Sequence, residues 1–167
     1  MEYIIVSGKD FNEARKKIRE NKEREIVFTS NDDELNRKVL EKETISILLI
    51  NQKGRKDRAK QRDSGFNQVL AKLAKKKSVI LGINLDEILK TKEEEKAKIL
   101  ARVRQNVKLC NKNKLKMVFI SEELNEAKDR YNLKALGLVL GMPTWMMSDF
   151  AKLGKDVEER NREKKNL

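Results

Sequence analysis

Histidine is absent from this 167-residue chain, cysteine and proline occur once each, and only 5% of the residues are aromatic. Without histidine there is no Ser-His-Asp or Cys-His pair, no HExxH helix and no His-ligated metal centre. Cys110 alone can form neither an internal disulfide nor a cysteine-based zinc site. An all-carboxylate magnesium site needs Asp or Glu at strand ends, and few strands of this sequence end that way. No stretch reaches the ~18 consecutive apolar residues of a bilayer-spanning helix. The opening MEYIIVSGKD begins with an acid around a short apolar core, and it reads as a strand rather than a secretory signal. Together with the cysteine count, this places the chain in the cytoplasm. No helix pairs a basic face with exposed aromatics, so a membrane surface is not the expected partner. There is no fixed-period repeat and no low-complexity linker.

What the chain has is charge: 40% of residues are charged, with 39 Lys or Arg against 27 Asp or Glu, a net +12. The excess is concentrated. Residues 53–77 carry ten Lys or Arg against only Asp57 and Asp63, which accounts for +8 of that total. Positive charge gathered in one segment is the footprint of a polyanion-binding surface, and it favours nucleic acid over an acidic protein.

Strand and helix patterns alternate along the chain. Apolar strands are expected at Tyr3–Val6, Glu25–Thr29, Ile45–Ile50, Ser78–Ile83 and Lys116–Ile120. Between them, Phe11, Ala14 and Ile18, then Leu35, Val39 and Leu40, keep helical spacing. Asp10 is placed to cap the first helix, and Ser30 or Asn31 the second. A helix over 64–77 carries Phe66, Val69, Leu70 and Leu73 on one side. A long helix over 93–114 has the stripe Leu100, Val103, Val107 and Cys110. A last helix, capped by Asn132, ends at Gly141 and Pro143. This order specifies an α/β fold with a mainly parallel sheet, left open between a flat sheet and one curled towards a barrel. One barrel-like domain is expected over 1–153, followed by a polar helix or tail over 154–167.

The candidate chemistry lies in and around the basic loop. Arg55, Lys56, Arg58, Lys60 and Arg62 lead into Asp63-Ser64-Gly65, read as a helix start whose free amides and dipole suit an anion, with Gly65 allowing close approach. The competing reading is an ordinary cap after a solvated loop. Ser64 as a nucleophile lacks a histidine base. Ser7-Gly8-Lys9 after the first strand lacks the full G-x-x-x-x-G-K pattern and reads as a turn. Arg102, Arg104 and Lys108 on the long helix would widen the basic patch. Arg130, in an expected loop with Tyr131 after the fifth strand, sits where α/β folds gather functional groups. Trp145, Met146 and Met147 form either core or a partner-binding patch.

Several of these segments resemble one family. GRKDRAKQRDSGFNQVLAKLAKKKSVILGINLDEIL is similar to the signature of the archaeal ribonuclease P protein component 3 family, related to the thirty-kilodalton ribonuclease P and MRP subunit. The likeness continues through KAKILARVRQNVKLCNKNKLKMVFISEEL and DRYNLKALGLVLGM. Arg62 and the Asp63-Ser64-Gly65 turn match its motif, as do Arg104 and Asn106 of an Arg-x-Asn element. Gln68 stands where relatives often have His. The resemblance implies a TIM-barrel-like fold of the polymerase-and-histidinol-phosphatase superfamily without its metal-binding histidines. Set against that family, the resemblance starts about two βα units late, so the barrel is expected to be incomplete or open. It implies a non-catalytic subunit that stabilises ribonuclease P RNA, which itself removes the 5′ leader of precursor tRNA. The implied partners are that RNA, precursor tRNA indirectly, and the component 2 protein, as a heterotetramer in related assemblies. No cofactor is implied for the chain, since the magnesium serves the RNA. The alternative on the same scaffold is a divergent metal-dependent phosphoesterase. A third reading is an adaptor that docks through Trp145.

Overall fold

The computed structural model describes residues 3–121 and 126–147, with the backbone alone for 126–129, and the backbone of 151–152. The expected polar helix over 154–165, and with it the boundary after residue 153, lies outside the described residues. Strands and helices follow one another as β1 Tyr3–Val6, α1 Phe11–Glu20, β2 Glu25–Thr29, α2 Asp33–Lys42, β3 Ile47–Leu49, α3 Gln68–Lys76 and β4 Ile80–Asn84. They continue with α4 Leu85–Lys90, α5 Glu93–Asn113, β5 Met117–Ser121, α6 Glu126–Val139 and the two-residue β6 Ala151–Lys152.

Each strand pairs in parallel with its neighbour in sequence, so the order across the sheet is the order along the chain. A parallel neighbour needs a crossover, and crossovers of one hand place every helix on the same face. The sheet curls into a half-barrel, which resolves the open question of a flat or curled sheet in favour of an open TIM-barrel-like fold. The larger core lies between sheet and helices, where Ile4, Phe28, Leu40, Leu48, Val107 and Met117 are almost wholly buried. The concave face carries a smaller apolar set: Val27, Ile47, Leu49, Val118 and Ile120. Apolar residues on both faces explain why these strands read as continuous runs instead of alternating.

Gly82 allows the curl. It pairs with Leu49 on one side and Val118 on the other. A Cβ there would come within 2.8 Å of Ile120 Cδ1 and 3.0 Å of Ile47 Cγ2. Any larger residue would push the concave layer apart.

Local signals set most boundaries. Asp10 Oδ1 accepts from the Glu13 amide at 2.9 Å, as expected. The second helix is capped by Asp32 rather than Ser30 or Asn31. Two expectations differ more. The helix expected over 64–77 begins at Gln68, because Asn67 takes the capping position and accepts from the Leu70 amide at 3.0 Å. The shift turns Val69 outward, where it is 61% exposed. The loop expected around Arg130 and Tyr131 is instead helical, inside α6, and Asn132 lies within that helix rather than capping it. The short helix α4 has no counterpart among the expected elements; Asn84, ending β4, caps it.

Candidate nucleic-acid interface

The basic loop leaves the C-terminal end of β3 and rejoins regular structure at Asn67. Two arginines fix its course from beneath. Arg102, on α5, has a side chain only 1% exposed. It donates from Nε to Asp57 Oδ1 at 2.9 Å, from Nη1 to the Gln52 carbonyl at 2.9 Å, and from Nη2 to the Arg55 carbonyl at 2.7 Å. The planar guanidinium thus holds three points of the loop at once, which an ammonium could not do. The hydrogen bond from Arg102 is the first reason that the Asp57 carboxyl is held below the usual aspartate range.

Arg55 is the second. Its guanidinium makes a two-pronged contact with Asp33 on α2, Nη2 to Oδ1 at 2.7 Å and Nη1 to Oδ2 at 2.9 Å, and lies 3.4 Å from Asp63. Its Nε donates to the Asn51 carbonyl at 2.7 Å. The bond to Asp33 raises its already high pKa further. Three carboxylates complete the frame. Glu87 accepts from the Gln52 and Lys53 amides at 2.7 and 3.3 Å, Glu95 from the Gly54 amide at 3.1 Å, and Asp57 from the Asp63 amide at 2.8 Å.

Supported in this way, the loop closes at its tip as a two-residue turn. Arg58 and Gln61 exchange backbone hydrogen bonds of 2.9 and 3.2 Å. The side chains left outside are cationic. Lys53, Lys56, Arg58, Lys60 and Arg62 are exposed, and among the described residues none of them forms an ion pair. Arg58, Arg62, Gln105 and the first turn of α3 line an open cleft of about 430 Å³. Asp33 and Asp63 also border it but are engaged by Arg55, and Arg37 is paired with Glu41 at 2.9 Å. Arg58 and Arg62 are the lining cations that form no ion pair among the described residues, although Glu34 also lines the cleft and Asp57 lies in the field of Arg62. With the positive end of the α3 dipole beside them, they mark the side of the cleft suited to phosphate.

The expected site residues divide into two groups. Lys56, Arg58, Lys60 and Arg62 share the loop surface, and Arg104 and Lys108 are exposed on α5. Arg55 does not belong with them: its side chain is 11% exposed and its guanidinium is taken by Asp33 and Asp63. Ser64 is 2% exposed and hydrogen-bonds within the loop, to the Phe66 carbonyl and Gln105, so it offers no hydroxyl to a ligand. Gly65 serves the loop rather than close approach. It has φ of +67°, and a Cβ there would land on the Arg55 guanidinium. Asn106 is 4% exposed among the core residues of α5. Arg130 is exposed on α6, away from the loop in sequence and on a helix instead of the expected loop. Met146 is fully buried and Trp145 is 42% exposed, which divides that segment between core and surface.

Sequence reading placed Arg102 among surface cations, although the signal for its burial was present. Ile99, Val103, Asn106 and Cys110 mark the inward face of α5, and Arg102 falls on it. Asp33, the partner of Arg55, lies 22 residues upstream and carries no local mark in the sequence. Among the described residues, no group of three or more His, Cys, Asp or Glu is arranged to hold a metal ion, and no helix is long and apolar enough to cross a membrane.

No protein-family model matches the chain. Individual relatives do. Ribonuclease P protein component 3 of Methanococcus maripaludis is 30% identical over 140 residues, covering 83% of this chain and 56% of the relative. The protein of the same description from Methanocaldococcus jannaschii is 31% identical over 131 residues, covering 77% and 53%. The chain spans about half the length of these curated relatives. Among solved structures, a chain from a cryo-EM structure of archaeal ribonuclease P with mature tRNA superposes with a TM-score of 0.72 at 25% identity, over 86% of this chain and 62% of that one. Sequence and three-dimensional likeness agree, and the chain belongs to the archaeal ribonuclease P protein component 3 family.

Proposed function

We propose that this chain acts as a protein subunit of ribonuclease P, holding the catalytic RNA in its working shape while the RNA removes the 5′ leader of precursor tRNA. The observation that carries this reading is the loop: Lys56, Arg58, Lys60 and Arg62 are exposed, form no ion pair among the described residues, and are set on a backbone fixed by Arg55, Arg102 and three carboxylates. Prearranged cations need little further ordering to meet a phosphate backbone. Each phosphate neutralised releases condensed counterions, so binding should weaken steeply with salt. The family supports the same reading, since the relatives are described as ribonuclease P components and the superposable chain comes from that particle with tRNA.

In this proposal the chain breaks no bond itself. The magnesium belongs to the RNA, the partner protein is component 2, and the assembly works in the cytoplasm. The test is reconstitution. Ribonuclease P RNA and the remaining protein subunits are combined with or without this chain, and cleavage of precursor tRNA is followed at low magnesium. Addition should raise the rate and lower the magnesium requirement. Identical rates and magnesium dependence with and without the chain would count against the proposal, as would cleavage by the chain alone in the absence of RNA.

A further inference from the structure

Beyond the loop lies a second surface of one sign. There is no Asp or Glu between Asp63 and Asp86, and none between Glu95 and Glu122. These two acid-free stretches supply α3 and most of α5, and the structure sets the two helices side by side. Gln68 Nε2 donates to Asn113 Oδ1 at 2.7 Å, and Lys75 Nζ donates to the Lys114 carbonyl at 2.9 Å. Lys72, Lys75 and Lys76 on α3 and Arg104, Lys108 and Lys112 on α5 are all exposed.

Elsewhere several helical cations have acidic partners, and the like-charged pair Lys38 and Lys42 on α2 lies over the Phe11 ring at 5.2 and 5.8 Å. Lys17 pairs with Glu13, Arg37 with Glu41 and Lys98 with Glu94, each four residues apart, and Arg15 and Arg19 share the buried Glu43. On the α3–α5 face the same spacing sets like charges together: Lys72 with Lys76, Arg104 with Lys108, and Lys108 with Lys112. Like charges at that spacing destabilise a helix, whereas a merely solvated face gains from mixed signs. Among the described residues none of the six forms an ion pair. Arg104, Lys108 and Lys112 climb α5 in steps of about 6 Å, making a straight row of cations.

We propose that this α3–α5 face is a second RNA contact that tracks the backbone of a double-stranded segment. The duplex is the fitting occupant because the row bears no aromatic side chain. Single-strand binders stack bases on exposed rings, whereas duplex RNA is held through phosphates and hydroxyls. Phe66 and Phe119 nearby in sequence are buried, and the one exposed ring beside this face among the described residues, Trp145 at the end of α5, is covered by Lys114 Nζ at 5.1 Å from its centroid. The inference rests on the RNA-binding reading above but on a different set of side chains.

The test compares three variants of the full chain in salt titrations against a short RNA duplex and a single strand of the same length. The first carries Arg104→Gln, Lys108→Gln and Lys112→Gln, which preserve helix propensity. The second carries Arg58→Ala and Arg62→Ala. The third, a charge-matched control, carries Lys9→Gln, Lys16→Gln and Arg24→Gln, at positions elsewhere on the molecule. The first variant should fold with unchanged or higher stability, prefer the duplex less, and show a log–log salt slope shallower by about 2 to 3. The control should change less than half as much. A normal slope in the first variant, an equal change in the control, or tighter wild-type binding to single strand than to duplex would each overturn the proposal. If the loop variant alone flattens the slope, only this second contact fails. If neither variant does, the loop reading fails with it.

Discussion

Arg102 shows how one side chain determines the shape of a surface on which it is not itself displayed. Its three hydrogen bonds end on Asp57 and on the carbonyls of Gln52 and Arg55, so replacing it takes the side-chain donor from two carbonyls, one of them buried, and leaves Asp57 with the Asp63 amide but no cation. Arg102→Ala should cost about 3–5 kcal/mol in urea denaturation. Arg102→Lys should recover little of that, since a point charge cannot meet three divergent acceptors. A loss below ~1 kcal/mol would mean that the loop holds its course without this residue. The same contact makes a pH prediction. The Arg102 hydrogen bond holds the folded-state pKa of Asp57 below its unfolded value. Its stabilisation is therefore complete above the ordinary aspartate range, near about 3.9, and is lost as the pH falls through the depressed folded value. Between those limits the denaturation midpoint of the wild type should fall more steeply with acid than that of Asp57→Asn; parallel curves would contradict the assignment.

At the level of elements, the parts legible in the sequence are those fixed by local chemistry. Apolar runs such as Ile45–Ile50 locate the strands, and Asp10 marks a helix start because a carboxylate there meets a free amide three residues on. The start of α3 is ambiguous in sequence because Asp63, Ser64 and Asn67 all have cap-forming side chains, and only tertiary contacts choose among them. Arg55 draws Asp63 into an ion pair and Gln52 holds the Ser64 carbonyl at 3.0 Å, leaving Asn67 to cap. The candidate site is legible as composition but not as geometry. Ten cations in 25 residues announce a polyanion surface, yet only the fold shows that Arg55 faces inward while Arg58 and Arg62 face out. Gly82 tests the sheet itself. Gly82→Ala sets a Cβ against Ile120 and Ile47, so it should destabilise by about 1–3 kcal/mol and loosen the concave layer, seen as faster amide exchange in β3 and β5. A neutral effect would show that the curl does not depend on this missing side chain.

For the molecule as a whole, the half-barrel acts as a rigid support. Helices lie on one face, a small apolar layer fills the other, and the loop stands at the C-terminal rim where such folds carry function. Asp33, Asp57, Asp63, Glu87 and Glu95 are engaged by the loop's own backbone and arginines, which leaves the outward-facing cations of the loop without an ion pair among the described residues. The central question is therefore whether that charge meets RNA. The decisive measurement is the salt dependence of affinity for ribonuclease P RNA, wild type against Arg58→Ala with Arg62→Ala. Taking away two phosphate-neutralising side chains should lower the magnitude of the log–log slope by about 1.4 to 1.8. An unchanged slope, with the variant folded to wild-type stability, would show that the loop does not bind the RNA backbone.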